Sequence, residues 1–276
     1  MAQAYTNAVR LQALQHGFGY AVSFELLSSG SPWMNLYIVS GASRGLGLAF
    51  ARLLAAESET RVVGISRAGL PTDVPAWRDI RADLGTNEGQ IAAAEGIGAA
   101  LSVEAWSRAV LINNAGVLEP FGVAGQVDPA SLQRNIAVNL TAAMVLMNAF
   151  LVGSIAAATR SVINVSSGSG RRPIAGSGAY CAAKAGLDMA SRVAALEVEG
   201  AGTPVTITSL APGIIDTDMQ VLARAADAAQ FPDVERFRAF KSGGMLKSAE
   251  DVARTIIALE RAGKLPPGIA DLRELS

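Results

Sequence analysis

The sequence predicts an α/β fold: a doubly wound parallel sheet of about seven strands, with helices on both faces, in a single domain. Three observations carry this. From Met34 onward, short apolar runs alternate with Ala-rich stretches of helical length. The runs are apolar at nearly every position, as expected of strands covered on both faces. Strict alternation of strand and helix implies right-handed crossovers, hence a parallel sheet. No internal repeat or low-complexity linker divides the chain.

The strands are expected at Leu36–Ser40, Arg61–Ser66, Arg78–Ala82, Ala109–Asn113, Ser161–Ser166 and Val205–Leu210, with a weak last one near Ile269. Helices are expected near 45–57, 87–101, 129–152, 177–199 and 249–262. Residues 213–247 form a long insertion before the last helix, placed to act as a substrate loop or lid.

Composition limits the function. Of 276 residues, 50% are hydrophobic and 17% charged, against about 25% charged in an average globular chain. That excludes a disordered chain, because the apolar surface offsets chain entropy. A net charge of −1 excludes nucleic-acid binding through phosphate neutralisation. No run reaches about 18 uninterrupted apolar residues, so no membrane-spanning helix is expected. The lone cysteine, Cys181, forms no internal disulfide, and the lone histidine, His16, leaves no Cys/His metal site; no metal is expected. These features suit a reducing, cytoplasmic compartment.

Residues 1–33 differ from the rest. Their only formal charges are Arg10 and Glu25, and they show no strong period. The apolar part is too broken by Gly17, Gly19 and Glu25 for a signal-peptide core. Met34 directly precedes the first strand-like run, so it reads as the working start, with 1–33 a leader or disordered extension and 34–276 the working domain. His16 falls in this leader and reads as incidental.

Gly41-Ala-Ser43-Arg44-Gly45-Leu46-Gly47 follows a strand and opens a helix. Gly41 permits a tight exit from the strand, while Gly45 and Gly47 let backbone approach a pyrophosphate. The helix start then offers free N–H groups and a positive dipole end to the anion. A packing turn has the same glycines; position between strand and helix favours the nucleotide. The second strand ends Ser66-Arg67 without the acid that would bind a ribose 2′-hydroxyl. Arg67 and Arg44 suit a 2′-phosphate instead, which points to NADP(H). Two solvated arginines are the alternative. Asp83, ending the third strand, is placed to touch the adenine edge.

Tyr180 and Lys184 are four residues apart and share one helical face. An adjacent ammonium stabilises a phenolate, so the Tyr180 pKa is expected to fall from about 10. Such a phenol gives or takes the proton that accompanies hydride transfer. Ser167 ends a strand and can hydrogen-bond the same substrate oxygen. Asn139 can hold a water that relays protons to Lys184.

With these residues in place, the chain resembles the short-chain dehydrogenase/reductase family. The resemblance runs from Met34 nearly to the C-terminus. It rests on Gly41–Gly47, Asn113-Asn114-Ala115-Gly116, Asn139, Ser167, Tyr180 with Lys184, and Pro212-Gly213-Ile-Ile215-Asp-Thr217. It implies a Rossmann sheet, a nicotinamide cofactor and an Asn139-Ser167-Tyr180-Lys184 relay. It also implies that Asn114, Ala115 and Gly116 lie along the cofactor. Pro212, Gly213, Ile215 and Thr217 belong to the stretch that holds the carboxamide, and Lys184 also binds the nicotinamide ribose. The stretches around Val162–Gly168, Gly178–Gly186 and Ala211–Gln220 look like the benzil reductase and sepiapterin reductase branch, whose members are NADPH-dependent and reduce vicinal dicarbonyls or related ketones. The resemblance implies a homodimer or homotetramer acting on a small-molecule carbonyl substrate.

Other residues read more plainly. Cys181 points about 100° away from Tyr180 and reads as a packed small hydrophobe. Arg171 and Arg172 read as a solvated loop pair. Ile214, Met219 and Met245 either line an apolar pocket or pack in the core. Ser167-Gly-Ser-Gly170 leaves room beside the site for a bulky substrate. Two rivals stay open: a non-catalytic NADP(H)-sensing regulator, and an NAD-dependent alcohol dehydrogenase working oxidatively.

Overall fold

The computed structural model describes residues 34–275. The readings of His16 and of 1–33 as a leader lie outside the described residues. Seven parallel strands form one sheet in the order β3-β2-β1-β4-β5-β6-β7. They are β1 Asn35–Ser40, β2 Thr60–Ser66, β3 Arg78–Arg81, β4 Arg108–Asn113, β5 Thr159–Val165, β6 Val205–Ala211 and β7 Gly268–Asp271. The helices are α1 Gly45–Ala55, α2 Asn87–Leu101, α3 Pro129–Ile136, α4 Ala142–Gly153, α5 Gly178–Gly200, α6 Asp218–Ala225, α7 Val234–Ser242, α8 Ala249–Arg261 and the short α9 Leu272–Leu275.

Both sheet faces are buried, and strand periodicity divides the core in two. Leu36 and Ile38 of β1 face one cluster with Ala93 and Ile97 of α2, Leu146 and Phe150 of α4, and Ala194 and Val198 of α5. The alternate residues Tyr37 and Val39 face the other, with Phe50 and Leu54 of α1 and Ile256 of α8. That explains the unbroken apolar spelling of β1 and β4. The strand order reverses between β1 and β4, opening a crevice at their carboxyl ends where α/β sheets take ligands.

The expected continuous helix over 129–152 is interrupted. Residues Ala137–Thr141 form a π-helical turn between α3 and α4. Its cause is tertiary: Asn139 Nδ2 donates to Val117 O at 2.8 Å and to Asn135 Oδ1 at 2.9 Å. Such inserted turns often sit at functional sites. Residues 129–156 are long and apolar enough to cross a membrane by length and composition alone. Here that apolarity is used inside the fold, with Leu146 and Phe150 fully buried.

The stretch 213–247 contains α6 and α7 rather than plain loop. Its two ends are stapled by Asp216 N–H donating to Lys247 O and Lys247 N–H donating to Ile214 O, both at 2.9 Å. Phe231, between the helices, is fully buried against Phe121 and Phe237, with ring centroids 4.5 and 5.1 Å away.

Candidate active site

The site lies where the carboxyl ends of β1, β4 and β5 meet the starts of α1 and α5. Ser40, the last residue of β1, organises the first part. Its hydroxyl accepts the backbone N–H groups of Asn114 and Ala115 at 3.0 and 3.1 Å. Asn114 Nδ2 donates back to Ser40 O at 3.0 Å. The glycine loop is thereby pressed against the segment after β4. A Cβ on Gly41 would sit 2.8 Å from Ala115 Cα, and one on Gly47 would collide with the Gly41 carbonyl oxygen. Gly41 also has φ +69°, which side chains resist.

The start of α1 is left open. Arg44 occupies the N-cap in extended backbone without a side-chain cap, and the first turn has no acid. The orphan amides of that turn therefore favour an anion. Thr217 approaches from the other side: a Cβ on Gly45 would lie 3.4 Å from its methyl. The Pro212–Thr217 stretch thus flanks the same loop. Ile215 packs at the edge of the core that contains α1. This cradle, tight at Gly41 and Gly47 and uncapped at α1, fits a dinucleotide pyrophosphate.

At the ends of β2 and β3, Asp83 holds Arg134 Nη2 through both carboxylate oxygens, each at 3.0 Å, and accepts the Gly85 N–H at 2.9 Å. Burial opposes ionisation there, but the Gly85 amide, Arg134 and nearby Arg67 hold the carboxyl below its usual range. Arg44 Nη1 lies 3.4 Å from Asp218 Oδ2 of α6, and both side chains are largely exposed. Sequence reasoning missed Asp218 as a partner of the glycine loop.

The reaction groups converge on α5. Tyr180 and Lys184 are both buried, and the ammonium lies 5.7 Å from the phenol ring centroid. Ser167 lies near enough to the phenol to pull its pKa down, while the Ser169 N–H donates to Ser167 Oγ at 3.1 Å. Lys184 Nζ donates to Val165 O at 2.8 Å. A Cβ on Gly116 would fall 2.9 Å from Asn139 Oδ1 and 3.9 Å from Lys184 Nζ. Gly116, Asn139 and Lys184 therefore share one corner.

Three expectations need correction or refinement. The Tyr180 pKa is not lowered: burial pushes it up to about 12, against a smaller opposing pull from Ser167. Burial also brings Lys184 down to about 8, although Asp188 opposes this. Desolvation outweighs the mutual Tyr–Lys effect that spacing alone suggested. Arg171 is exposed in its loop, as expected, but is not free: its Nε donates to Asp188 Oδ2 at 3.0 Å and its Nη2 to Ala270 O at 3.0 Å. Met245 does not pack in the core, being 56% exposed, whereas Met219 joins the apolar cluster that holds Tyr180. Cys181 is half-buried.

The Asn139 side chain is committed to protein: besides its donor bonds, its Oδ1 accepts the Val117 N–H at 3.2 Å. Its visible work is to shape the π-turn and the segment after Gly116. Asp188 was missed, although it stands four residues beyond Lys184 and so on the same helical face.

A family model described as short chain dehydrogenase matches residues 35–228. The benzil reductase ((S)-benzoin forming) of Bacillus subtilis (strain 168) is 35% identical over 242 residues, covering 87% of this chain and 99% of that one. The sepiapterin reductase of Meriones unguiculatus is 33% identical, covering 84% of this chain and 94% of its own. The crystal structure of the KRED1-Pglu enzyme superposes with a TM-score of 0.72 at 26% identity, over 86% of this chain and all of that one. The chain belongs to the short-chain dehydrogenase/reductase family of oxidoreductases, in the branch of the benzil and sepiapterin reductases.

Proposed function

We propose that this protein is an NADPH-dependent carbonyl reductase acting on ketones and vicinal diketones, with Tyr180 as the proton donor. The observation that carries the reading is the meeting of Ser167, Tyr180 and Lys184 beside Gly116, at the mouth of the glycine cradle. Bound NADPH would supply hydride to the carbonyl carbon. Tyr180 then protonates the oxygen, and its burial suits this direction: a phenol held above its usual pKa is in the donating form at neutral pH. Ser167 holds and polarises the carbonyl oxygen. Lys184 keeps a positive charge nearby and binds the nicotinamide ribose, while Asn139 shapes the turn between them.

Cofactor choice rests on Arg44 and Arg67, with no acid after β2. Asp83 marks the adenine end. Substrate size is read from the relatives and from the surroundings of Tyr180, where Leu118, Phe121, Ile174, Met219 and Phe237 make an apolar wall. The 213–247 stretch, through α6 and α7, covers that side.

The test is to mix purified protein with NADPH or NADH and a panel of ketones and diketones including benzil, following the nicotinamide absorbance. Rapid NADPH oxidation with a vicinal diketone, and slow NADH oxidation, is expected. Binding of NADPH without consumption by any carbonyl would leave a sensor in place of an enzyme.

The reading includes a cytoplasmic homo-oligomer. Along α5 the exposed stripe Ala182, Ala185, Met189, Val193 and Leu196 is apolar over four turns, with Leu196 69% exposed. An apolar stripe on a surface helix suits a second copy of the chain. Leu196→Glu is expected to shift sedimentation toward the monomer by burying an unpaired carboxylate in the contact; an unchanged sedimentation profile would remove this stripe from the interface.

A further inference from the structure

We propose that the pair between buried Asp188 and the partly exposed Arg171 is a positioning unit that sets the charge of the Lys184 ammonium and locks the Ser167 turn onto the Tyr180 helix. It rests on the reductase reading only for its catalytic consequence. Asp188 is 4% exposed and lies one turn beyond Lys184 on α5. One carboxylate oxygen accepts the Ser209 hydroxyl of β6 at 2.6 Å, and the other accepts Arg171 Nε at 3.0 Å. Arg171 follows the 3-10 turn Gly168–Gly170, directly after Ser167. It reaches on to Ala270 O of β7. The pair thus joins the Ser167 turn, α5, β6 and β7.

The turn itself rests on the lysine. A Cβ on Gly170 would lie 2.8 Å from the Lys184 carbonyl carbon. Arg171 therefore has little freedom, and its charge and that of Asp188 are both fixed near Lys184. The carboxylate is buried while the Arg171 side chain stays 28% exposed, so desolvation of Asp188 offsets much of the attraction and stability is not the distinctive gain. Its distinctive product is a fixed field. Asp188 favours the charged ammonium, against the burial that disfavours it. The other ionisable groups nearby are already engaged or placed elsewhere. Tyr180 and Cys181 precede Lys184 on α5, and Arg192 lies a turn past Asp188. Asp271 of β7 pairs with Arg273 but also lies within the field of Arg171; Arg134 of α3 pairs with Asp83, and Arg160 stands at the opposite end of β5. Exposed Arg172 follows Arg171.

The sign of each change is opposite. Asp188→Asn keeps an acceptor for Ser209 but removes the negative charge beside Lys184 and leaves Arg171 only Ala270 O and the more distant Asp271, so Lys184 loses its proton at lower pH. Arg171→Gln leaves the carboxylate uncompensated, so Lys184 keeps its proton to higher pH. Titration of the lysine Nζ signals by NMR in protein carrying 15N-lysine reads this without turnover. The high-pH fall of NADPH-dependent reduction should move with it. At pH near 8.5, kcat/KM of Asp188→Asn should drop about fivefold relative to the parent, as a displacement of somewhat under one pH unit gives. If Asp188→Asn does not fold, Arg171→Gln alone must still raise the Lys184 midpoint. A Lys184 titration unmoved in the variants that fold, or moved the same way in both, overturns the proposal and leaves a purely structural pair. A Lys184 midpoint that moves as stated while the rate profile does not would sustain the electrostatic role and defeat the catalytic reading of Lys184.

Discussion

Tyr180→Phe is expected to lower reductive kcat about a thousandfold while leaving NADPH affinity within about threefold and the melting temperature close to that of the parent. The argument separates ring from hydroxyl. The ring is buried with Leu118, Ala223, Phe231 and Val234, and phenylalanine keeps that packing. The hydroxyl neighbours Ser167, which already donates to Ser169 Oγ at 3.1 Å and keeps that partner once the phenol oxygen is gone. The substitution therefore removes a proton source and little else. Loss of a positioned general acid typically costs a hundredfold to ten-thousandfold, and the added loss of a donor to the developing oxyanion moves the expectation to the middle of that range or above. Fluorescence titration with NADPH and single-turnover rates measure the two halves. Turnover within threefold of the parent would assign the proton to another group. Unaltered kcat with poor NADPH binding would make Tyr180 a cofactor residue alone.

The same site shows what a sequence can carry and where it stops. The strands were legible because both sheet faces are buried, so β1, β4 and β5 are spelled as apolar runs. The glycine loop was legible because Gly41 and Gly47 answer to local geometry: one leaves a strand, the other enters a helix against it. The Tyr180–Lys184 relation was legible as spacing on one helix. Its electrostatics were not, because desolvation depends on Leu118, Phe231 and Val234, which come from distant parts of the chain. The π-turn was hidden for a similar reason. Nothing in the run Ile136-Ala-Val-Asn-Leu departs from helix grammar; the break follows from bonds between Asn139 and the segment after β4. Arg171 is exposed, as two adjacent arginines in a Gly-rich turn usually are, and its bond to Asp188 was hidden because the partner lies seventeen residues on in another element. Its partner Asp188 was nonetheless accessible to the same four-residue argument that found Lys184. Helices α6 and α7, of eight and nine residues, are short and mixed in character, and Phe231 between them is the residue that fastens both.

The second large effect concerns the cofactor. Arg44→Ala combined with Arg67→Ala is expected to weaken NADPH binding by about a hundredfold and to change NADH binding by less than about threefold. A hydrogen bond to a charged group contributes about 1.5–3 kcal/mol, so losing two such contacts exceeds the single factor of ten that 1.4 kcal/mol represents. Asp218 enters the balance. It holds Arg44 at 3.4 Å, but both side chains are more than 60% exposed, and such a pair is worth under about 1 kcal/mol. A 2′-phosphate carries more charge and more acceptors, so it outcompetes Asp218 for the guanidinium. Arg67 lies close enough to Asp83 to stabilise its carboxylate, yet Asp83 is already bonded to Arg134, which leaves Arg67 free to turn to the cofactor. Binding measured by calorimetry for both nucleotides decides the matter. Equal losses for NADPH and NADH would mean that the arginines support the loop rather than read the 2′ position. Single variants refine the result: Arg44→Ala also frees Asp218 beside the cradle, so a loss from Arg44→Ala that Asp218→Asn largely restores would trace to repulsion by that carboxylate. A loss that Asp218→Asn leaves unchanged would instead trace to the missing contact between Arg44 and the phosphate.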